Sequence, residues 1–205
     1  MISNKQLPQV LGITGGIGSG KSVVSHILSI MGIPVYDCDR EAKRLNETDQ
    51  VIRKELIELV GEQVYDSDGK LNKVVLASFL FASSSNATQV NAIIHPRVKD
   101  DFLRWKATQK QVKWVGIESA ILYESGISDL ADKILTVIAP EEVRISRVVL
   151  RDKTSCKSVQ LRMAQQMSEE EYRTKVQFIL ENDGRRALIP QILDILAFLL
   201  CPFHS

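Results

Sequence analysis

Residues 15–22 read Gly15-Gly16-Ile17-Gly18-Ser19-Gly20-Lys21-Ser22 and fit the pattern G-x-x-x-x-G-K-[ST]. An apolar, β-compatible segment, Val10-Leu11-Gly12-Ile13-Thr14, precedes it. Val23-Val24-Ser25-His26-Ile27-Leu28 follows and opens an amphipathic helix. This strand–loop–helix context separates a phosphate-binding loop from a glycine-rich turn that happens to carry a lysine. The glycines admit backbone conformations closed to residues with a side chain and let N–H groups approach phosphate closely. The loop delivers the chain to a helix N-terminus, whose unpaired N–H groups and partial positive charge favour an anion. Lys21 is then placed to reach the β/γ-phosphates of ATP, and Ser22 to put its hydroxyl on Mg²⁺.

Working outward, strand-like segments at 9–14, 33–37, 112–118, 133–139 and 176–180 alternate with helical ones. The helices are expected at 21–31, 40–60, 73–81, 86–94, 96–109, 140–151, 157–167 and 187–199. Alternation of this kind predicts an α/β fold, a five-stranded parallel sheet flanked by helices. Pro96 and Pro140 suit first helical positions, where a missing N–H costs nothing. Ser168 with Glu171 forms a capping box. Gly32 can end the helix that follows the loop, and Asp66-Ser67-Asp68-Gly69 is a turn. Ser83-Ser84-Ser85-Asn86 reads as a linker between helices. Residues 66–109 carry helix and no strand, so they are expected as a helical insertion. The core is then 1–65, 110–150 and 176–205, and the polar stretch 151–168 is a lid.

The 205 residues suffice for one domain with such an insertion. A hydrophobic content of 44% with 25% charged residues is that of an ordinary globular protein, and a net charge of +1 gives no sign of a nucleic-acid footprint. The apolar run from Leu188 to Phe203 is broken by Pro190, Gln191 and Asp194 and is too short to span a bilayer, so it reads as a core helix. Cys38, Cys156 and Cys201 lie far apart without metal-type spacing and read as reduced thiols. With no signal-peptide pattern at the N-terminus, a cytoplasmic location is expected.

Other residues sit where chemistry is expected. Val35-Tyr36-Asp37-Cys38-Asp39 ends the second strand, and ligands of open α/β sheets bind beyond the carboxyl ends of strands. Asp37 can accept a proton from an attacking hydroxyl or hold magnesium through water. Asp39 can do the same, or cap a helix starting at Arg40. Glu118 ends the third strand, where phosphate-loop proteins often keep a carboxylate for Mg²⁺. Arg144, Arg147 and Arg151 share one helix. Arg147 and Arg151 are four apart on one face, a spacing suited to clamping phosphate. Arg162 follows on the next helix. A lone His95 before Pro96 reads more readily as a cap or packed residue than as a catalyst.

Taken together, these stretches resemble the dephospho-CoA kinase family over nearly the whole chain. The resemblance rests on Gly12 to Ser22, Asp37-Cys38-Asp39, Ile94-His95-Pro96 and Glu118 to Glu124. It continues through Arg147 to Asp152, Arg162-Met163-Ala164-Gln165-Gln166 and Asn182-Asp183-Gly184. It implies a P-loop kinase core with a helical substrate-binding insertion and a lid, and transfer of the γ-phosphoryl of ATP to the 3′-hydroxyl of dephospho-CoA. By the same resemblance Gly15 to Ser22 and the following Val23 hold the nucleotide, and Asp37 is the base. Arg147 lies against adenine with Asn182 near it. Arg151 meets the transferring phosphate, and Arg162 joins on lid closure. Asp39, Lys73, His95 and Glu118 face the second substrate. Small molecules are the implied partners, with no nucleic acid and no membrane, for a monomer or weak homo-oligomer.

The chain departs from the family pattern at three of these positions. Glu118 stands where the family usually has Asp, Lys73 where it has Arg, and Val23 where it has Thr. Lysine keeps the charge but not the bidentate geometry. Another nucleotide or small-molecule kinase on the same core is the alternative reading. A guanine-nucleotide switch is not, because no N-K-x-D-type base reader follows a strand.

Overall fold

The computed structural model describes residues 7–164 and 166–201. Gln165, within the R-M-x-x-Q stretch, and Phe203, at the end of the apolar run, lie outside them. In chain order the elements are β1 Gln9–Thr14, α1 Lys21–Ile30, β2 Val35–Asp37, α2 Cys38–Thr48, α3 Gln50–Val60, α4 Lys73–Ala82, α5 Ser84–Thr108 and β3 Trp114–Glu118. They continue with β4 Lys133–Ile138, α6 Glu141–Asp152, α7 Cys156–Met163, α8 Glu169–Lys175, β5 Phe178–Glu181 and α9 Leu188–Leu200.

The five strands form one sheet in the order β2-β3-β1-β4-β5. β1 runs parallel to β3 with Ile13 opposite Glu118, and parallel to β4 with Thr14 opposite Thr136. β4 runs parallel to β5 with Ile138 opposite Glu181. The parallel α/β sheet expected from the alternation is therefore present. β1 and β3 are buried nearly throughout, as strands covered on both faces must be. Leu11, Ile13, Leu135, Val137 and Leu180 form a core with Val24 and Leu28 of α1 and Ile192, Ile195, Leu196 and Leu199 of α9. The Trp114 indole N–H donates to the Leu199 carbonyl at 3.1 Å and fastens α9 to this layer.

The apolar run from Leu188 is thus a core helix, as expected, and no described helix is long and apolar enough to cross a membrane. α1 ends as its sequence predicts. Gly32 has φ 91°, its N–H donates to Ser29, and the Ile33 N–H reaches back to Leu28, which closes a Schellman motif.

By compactness the described residues up to Tyr36 and from Gln109 onward form one unit, and Asp37–Thr108 form a second. The second unit starts earlier than the expected boundary at residue 66, because α2 and α3 pack on α5. Leu45, Ile52, Leu56, Val90, Val98 and Phe102 are its buried apolar positions. Arg44 pairs with Asp101 at 2.6 Å, and Arg97 with Asp49 at 2.8 Å.

Several element boundaries also differ from expectation. The single helix expected over 40–60 is two helices, broken at Asp49. Asp49 leaves the helical region (φ −85°, ψ 118°) and caps α3 by accepting from the amides of Val51 and Ile52. The two helices expected around Pro96 are one, α5, with Pro96 inside it. Proline forfeits a bond to the Ala92 carbonyl but keeps a helical φ, and Val90, Val98 and Phe102 are buried on both sides of it. The linker at 83–86 shrinks to Ser83, since α5 begins at Ser84. Pro140 is an N-cap, with α6 starting at Glu141. The Ser168–Glu171 capping box is present and starts a separate helix, α8, that the periodicity did not single out.

Candidate active site

The loop from Gly15 to Gly20 leaves the carboxyl end of β1 and enters α1. Gly20 is the N-cap of α1 in the left-handed region, φ 98°. A side chain there would be strained by that backbone conformation and would also displace the Asn182 amide. At Gly16 the backbone is unstrained, and a Cβ would displace the Arg144 guanidinium that lies against it. Lys21 is the first residue of α1, and its Nζ donates to the carbonyls of Gly15 at 2.7 Å and Gly16 at 3.3 Å. The ammonium therefore lies over the loop, where phosphate charge is expected. Ser22 and Val23 follow in the first turn, both exposed.

Side chains from two other elements meet the loop. Arg147 of α6 donates to the carbonyls of Gly18 and Ser19, each at 3.4 Å, and to the Asn182 carbonyl at 3.1 Å. Asn182, just past β5, donates from Nδ2 to the Ser19 carbonyl at 2.7 Å. Arg147 and Asn182, expected beside the adenine, are thus both bonded to carbonyls of the phosphate loop. Arg144, one turn before Arg147, donates from Nε to the Ile17 carbonyl at 3.0 Å. Ile17 in turn donates its N–H to Gln166 Oε1 at 2.8 Å.

Arg151, expected beside Arg147, turns elsewhere. It pairs with Asp152 at 2.7 Å, and Arg162 of α7 reaches the same carboxylate at 3.0 Å. Hydrogen bonds from Arg151 and Arg162 hold the Asp152 pKa down at about 2. Arg151 and Arg162 are therefore gathered on one acid, Asp152, while Arg144 and Arg147 line the loop. Arg144 and Arg147 are three apart and share a face, so spacing alone fitted either pair. Neither Arg144 nor Gln166 was assigned a role from sequence. The signal for Arg144 was that spacing, and for Gln166 its place in the lid stretch.

Glu118 is buried at the end of β3, one strand over from the residue that precedes Thr14. In the second unit, Asp37 is the N-cap of α2. Its Oδ1 accepts from the Arg40 N–H at 3.0 Å, and the helix starts at Cys38. The capping role considered for Asp39 thus belongs to Asp37, and Asp39 lies exposed in the first helical turn. Lys73 is the exposed first residue of α4, behind its cap Asn72. His95 is half-buried within α5, and desolvation, with the nearby Lys99 charge, lowers its pKa.

Among the described residues no group of three or more His, Cys, Asp and Glu side chains is placed to hold a metal. Mg²⁺ keeps much of its water and takes one or two protein oxygens together with substrate phosphates. The Ser22 hydroxyl and the Glu118 carboxylate are donors of the right, hard type.

A five-stranded parallel sheet, flanked by helices, whose first strand feeds a G-x-x-x-x-G-K-[ST] loop backed by arginines defines a P-loop kinase. A model of the dephospho-CoA kinase family matches residues 9–187. Dephospho-CoA kinase from Bacteroides fragilis is 55% identical over 194 residues, covering 95% of this chain and 94% of its own. The enzyme of that name from Porphyromonas gingivalis is 42% identical, covering 91% and 92%. A crystal structure of a Thermus thermophilus protein superposes with a TM-score of 0.83 at 33% identity, over 96% of this chain and all of the other. Shikimate kinase from Acinetobacter baumannii shares the fold, with a TM-score of 0.55 at 13% identity, over 97% and 96%. The chain belongs to the dephospho-CoA kinase family.

Proposed function

We propose that the protein transfers the γ-phosphoryl group of ATP to the 3′-hydroxyl of the dephospho-CoA ribose, releasing ADP and coenzyme A. The observation that carries this is the loop itself. Left-handed glycines, a lysine ammonium laid over the loop and a helix N-terminus beneath it sit inside a chain that matches one kinase family from residue 9 to residue 187.

Amides of the loop between Gly15 and Ser22, other than that of Ile17, bind the phosphates, and Lys21 follows the β/γ oxygens as charge moves onto them. Ser22, and Glu118 through water, would hold Mg²⁺, which would supply further neutralisation of phosphate charge. Asp37 is the base. Its Oδ1 secures the helix cap, and its Oδ2 takes the proton of the 3′-hydroxyl. The new O–P bond forms as the bond to the ADP oxygen breaks. Arg147, steadied by Asn182, lies against the adenine. Arg151 and Arg162 leave Asp152 for the transferring phosphate when the lid, 151–168, closes and excludes water. Asp39, Lys73 and His95 in the helical unit contact dephospho-CoA. We place the enzyme in the cytoplasm as a monomer or weak homo-oligomer, consistent with three free cysteines.

An acceptor panel tests this reading. ADP release is measured with ATP, Mg²⁺ and, in turn, dephospho-CoA, AMP, CMP and shikimate. Turnover with dephospho-CoA alone is expected. Preference for any other acceptor would overturn it in favour of another kinase on the same core.

A further inference from the structure

The Ile17 peptide is held by side chains on both sides. Its N–H donates to Gln166 Oε1 at 2.8 Å, and its carbonyl accepts from Arg144 Nε at 3.0 Å. Gln166 is tied at its other end, where Nε2 donates to the Ala120 carbonyl at 3.4 Å, two residues past β3. The clasp thus joins α6, the base of the lid and the segment after β3 to one peptide of the phosphate loop.

Arg144 brings a charge as well as a hydrogen bond. Its guanidinium lies against Gly16, where a Cβ would displace it. It is half-buried, and desolvation lowers its pKa. Glu141 and Glu169 act on it only through space. Among the described residues its terminal nitrogens form no hydrogen bond or ion pair. Burying a cation without a carboxylate is costly unless something else uses the charge. An anion in the loop next to it does so, because charges separated by little water interact strongly.

Resting on the reading of the loop as an ATP site, we propose that Arg144 and Gln166 are positioning residues for the triphosphate. Together they lock the Ile17 peptide, and Arg144 also sets a positive charge behind the loop. The Ile17 N–H stays with Gln166 when nucleotide binds, and the phosphates are held by the other loop amides. Gln166 thereby makes the geometry of the loop depend on the base of the lid.

The test is the dissociation constant for ATP–Mg²⁺, measured by calorimetry on the full chain without acceptor, with melting temperature recorded in parallel. Arg144→Met is expected to weaken binding about tenfold, the size of losing a charge-assisted hydrogen bond. Arg144→Lys, which keeps charge and donor, should recover most of that loss. Gln166→Leu should weaken binding by about threefold or more. Because both side chains act on one peptide, the double variant should bind more tightly than the product of the single effects predicts. If Arg144→Met melts too early to titrate, Gln166→Leu decides alone.

The proposal is overturned if either Arg144→Met or Gln166→Leu binds ATP within twofold of the parent, or if Arg144→Lys is as weak as Arg144→Met. Tighter binding by Gln166→Leu would overturn it too, since Gln166 would then be a competitor of phosphate. The readout needs no acceptor. A parent that binds ATP but does not phosphorylate dephospho-CoA would defeat the proposed reaction and leave this inference standing.

Discussion

Lys21 gathers the local logic of the site into one side chain. It stands at the N-terminus of α1, and its ammonium lies on loop carbonyls at hydrogen-bond distance. A preorganised charge of this kind acts on developing phosphate charge without reorganisation at the moment of reaction. Lys21→Ala is expected to lower kcat by about 10²-fold or more, measured as coenzyme A formation at saturating substrates. Near-parental turnover would contradict the role. For Asp37→Asn the expected loss is about 10²–10⁴-fold, typical of a general base. Asparagine caps helices as well as aspartate, so the melting temperature should hold while the rate falls. Unchanged turnover with weaker Mg²⁺ dependence would make Asp37 a metal-shell residue. The loop residues were legible in the sequence because a phosphate loop is a local device, written in consecutive positions. Arg144 and Gln166 were not, because they meet Ile17 from positions 127 and 149 residues away.

At the scale of elements, the sequence located the helices well and their joints poorly. Asp49 breaks the helix expected over 40–60, and it was missed because the apolar stripe continues through Val51, Ile52 and Leu56 on the far side. Its side chain accepts from four donors: the amides of Val51 and Ile52, and Nε and Nη2 of Arg97. Burial opposes ionisation of Asp49, but the hydrogen bond from Arg97 and those from the two amides outweigh it and lower the pKa. Asp49→Ala is expected to cost about 2–3 kcal/mol in denaturant unfolding at pH 7, a lost cap plus a charged hydrogen bond. With the folded-state pKa depressed, that stabilisation is present above the unfolded value near about 4 and is lost as pH falls through the folded value. The gap between parent and variant should therefore narrow below about pH 4. A gap constant down to about pH 2.5 would contradict this assignment.

Pro96 makes the opposite lesson in α5. Read locally it ends a helix, yet buried residues on both sides carry the helix through it. Pro96→Ala should restore the bond to Ala92 and raise stability by about 1–3 kcal/mol, read in the same unfolding experiment. A lower stability would mean that the proline is required by its surroundings.

For the whole molecule, the sheet was legible because buried parallel strands leave apolar runs separated by helices. Its order was not, because strand neighbours are chosen by crossovers that leave no mark in consecutive residues. The extent of the helical unit was likewise hidden. α2 and α3 look like part of the alternating core, and only their packing on α5 places them in Asp37–Thr108. The arginines of α6 show the same limit, since a shared face does not say which arginine turns to the loop and which to Asp152.

The chemistry assigned to this assembly comes down to where one phosphate lands. The most direct measurement incubates the protein with ATP, Mg²⁺ and dephospho-CoA and reads the phosphorylated position by phosphorus NMR and mass spectrometry. A single new phosphomonoester on the ribose 3′-oxygen, with ADP formed in equal amount, is the predicted result. ADP without a phosphorylated acceptor, or phosphate on any other oxygen, would contradict it.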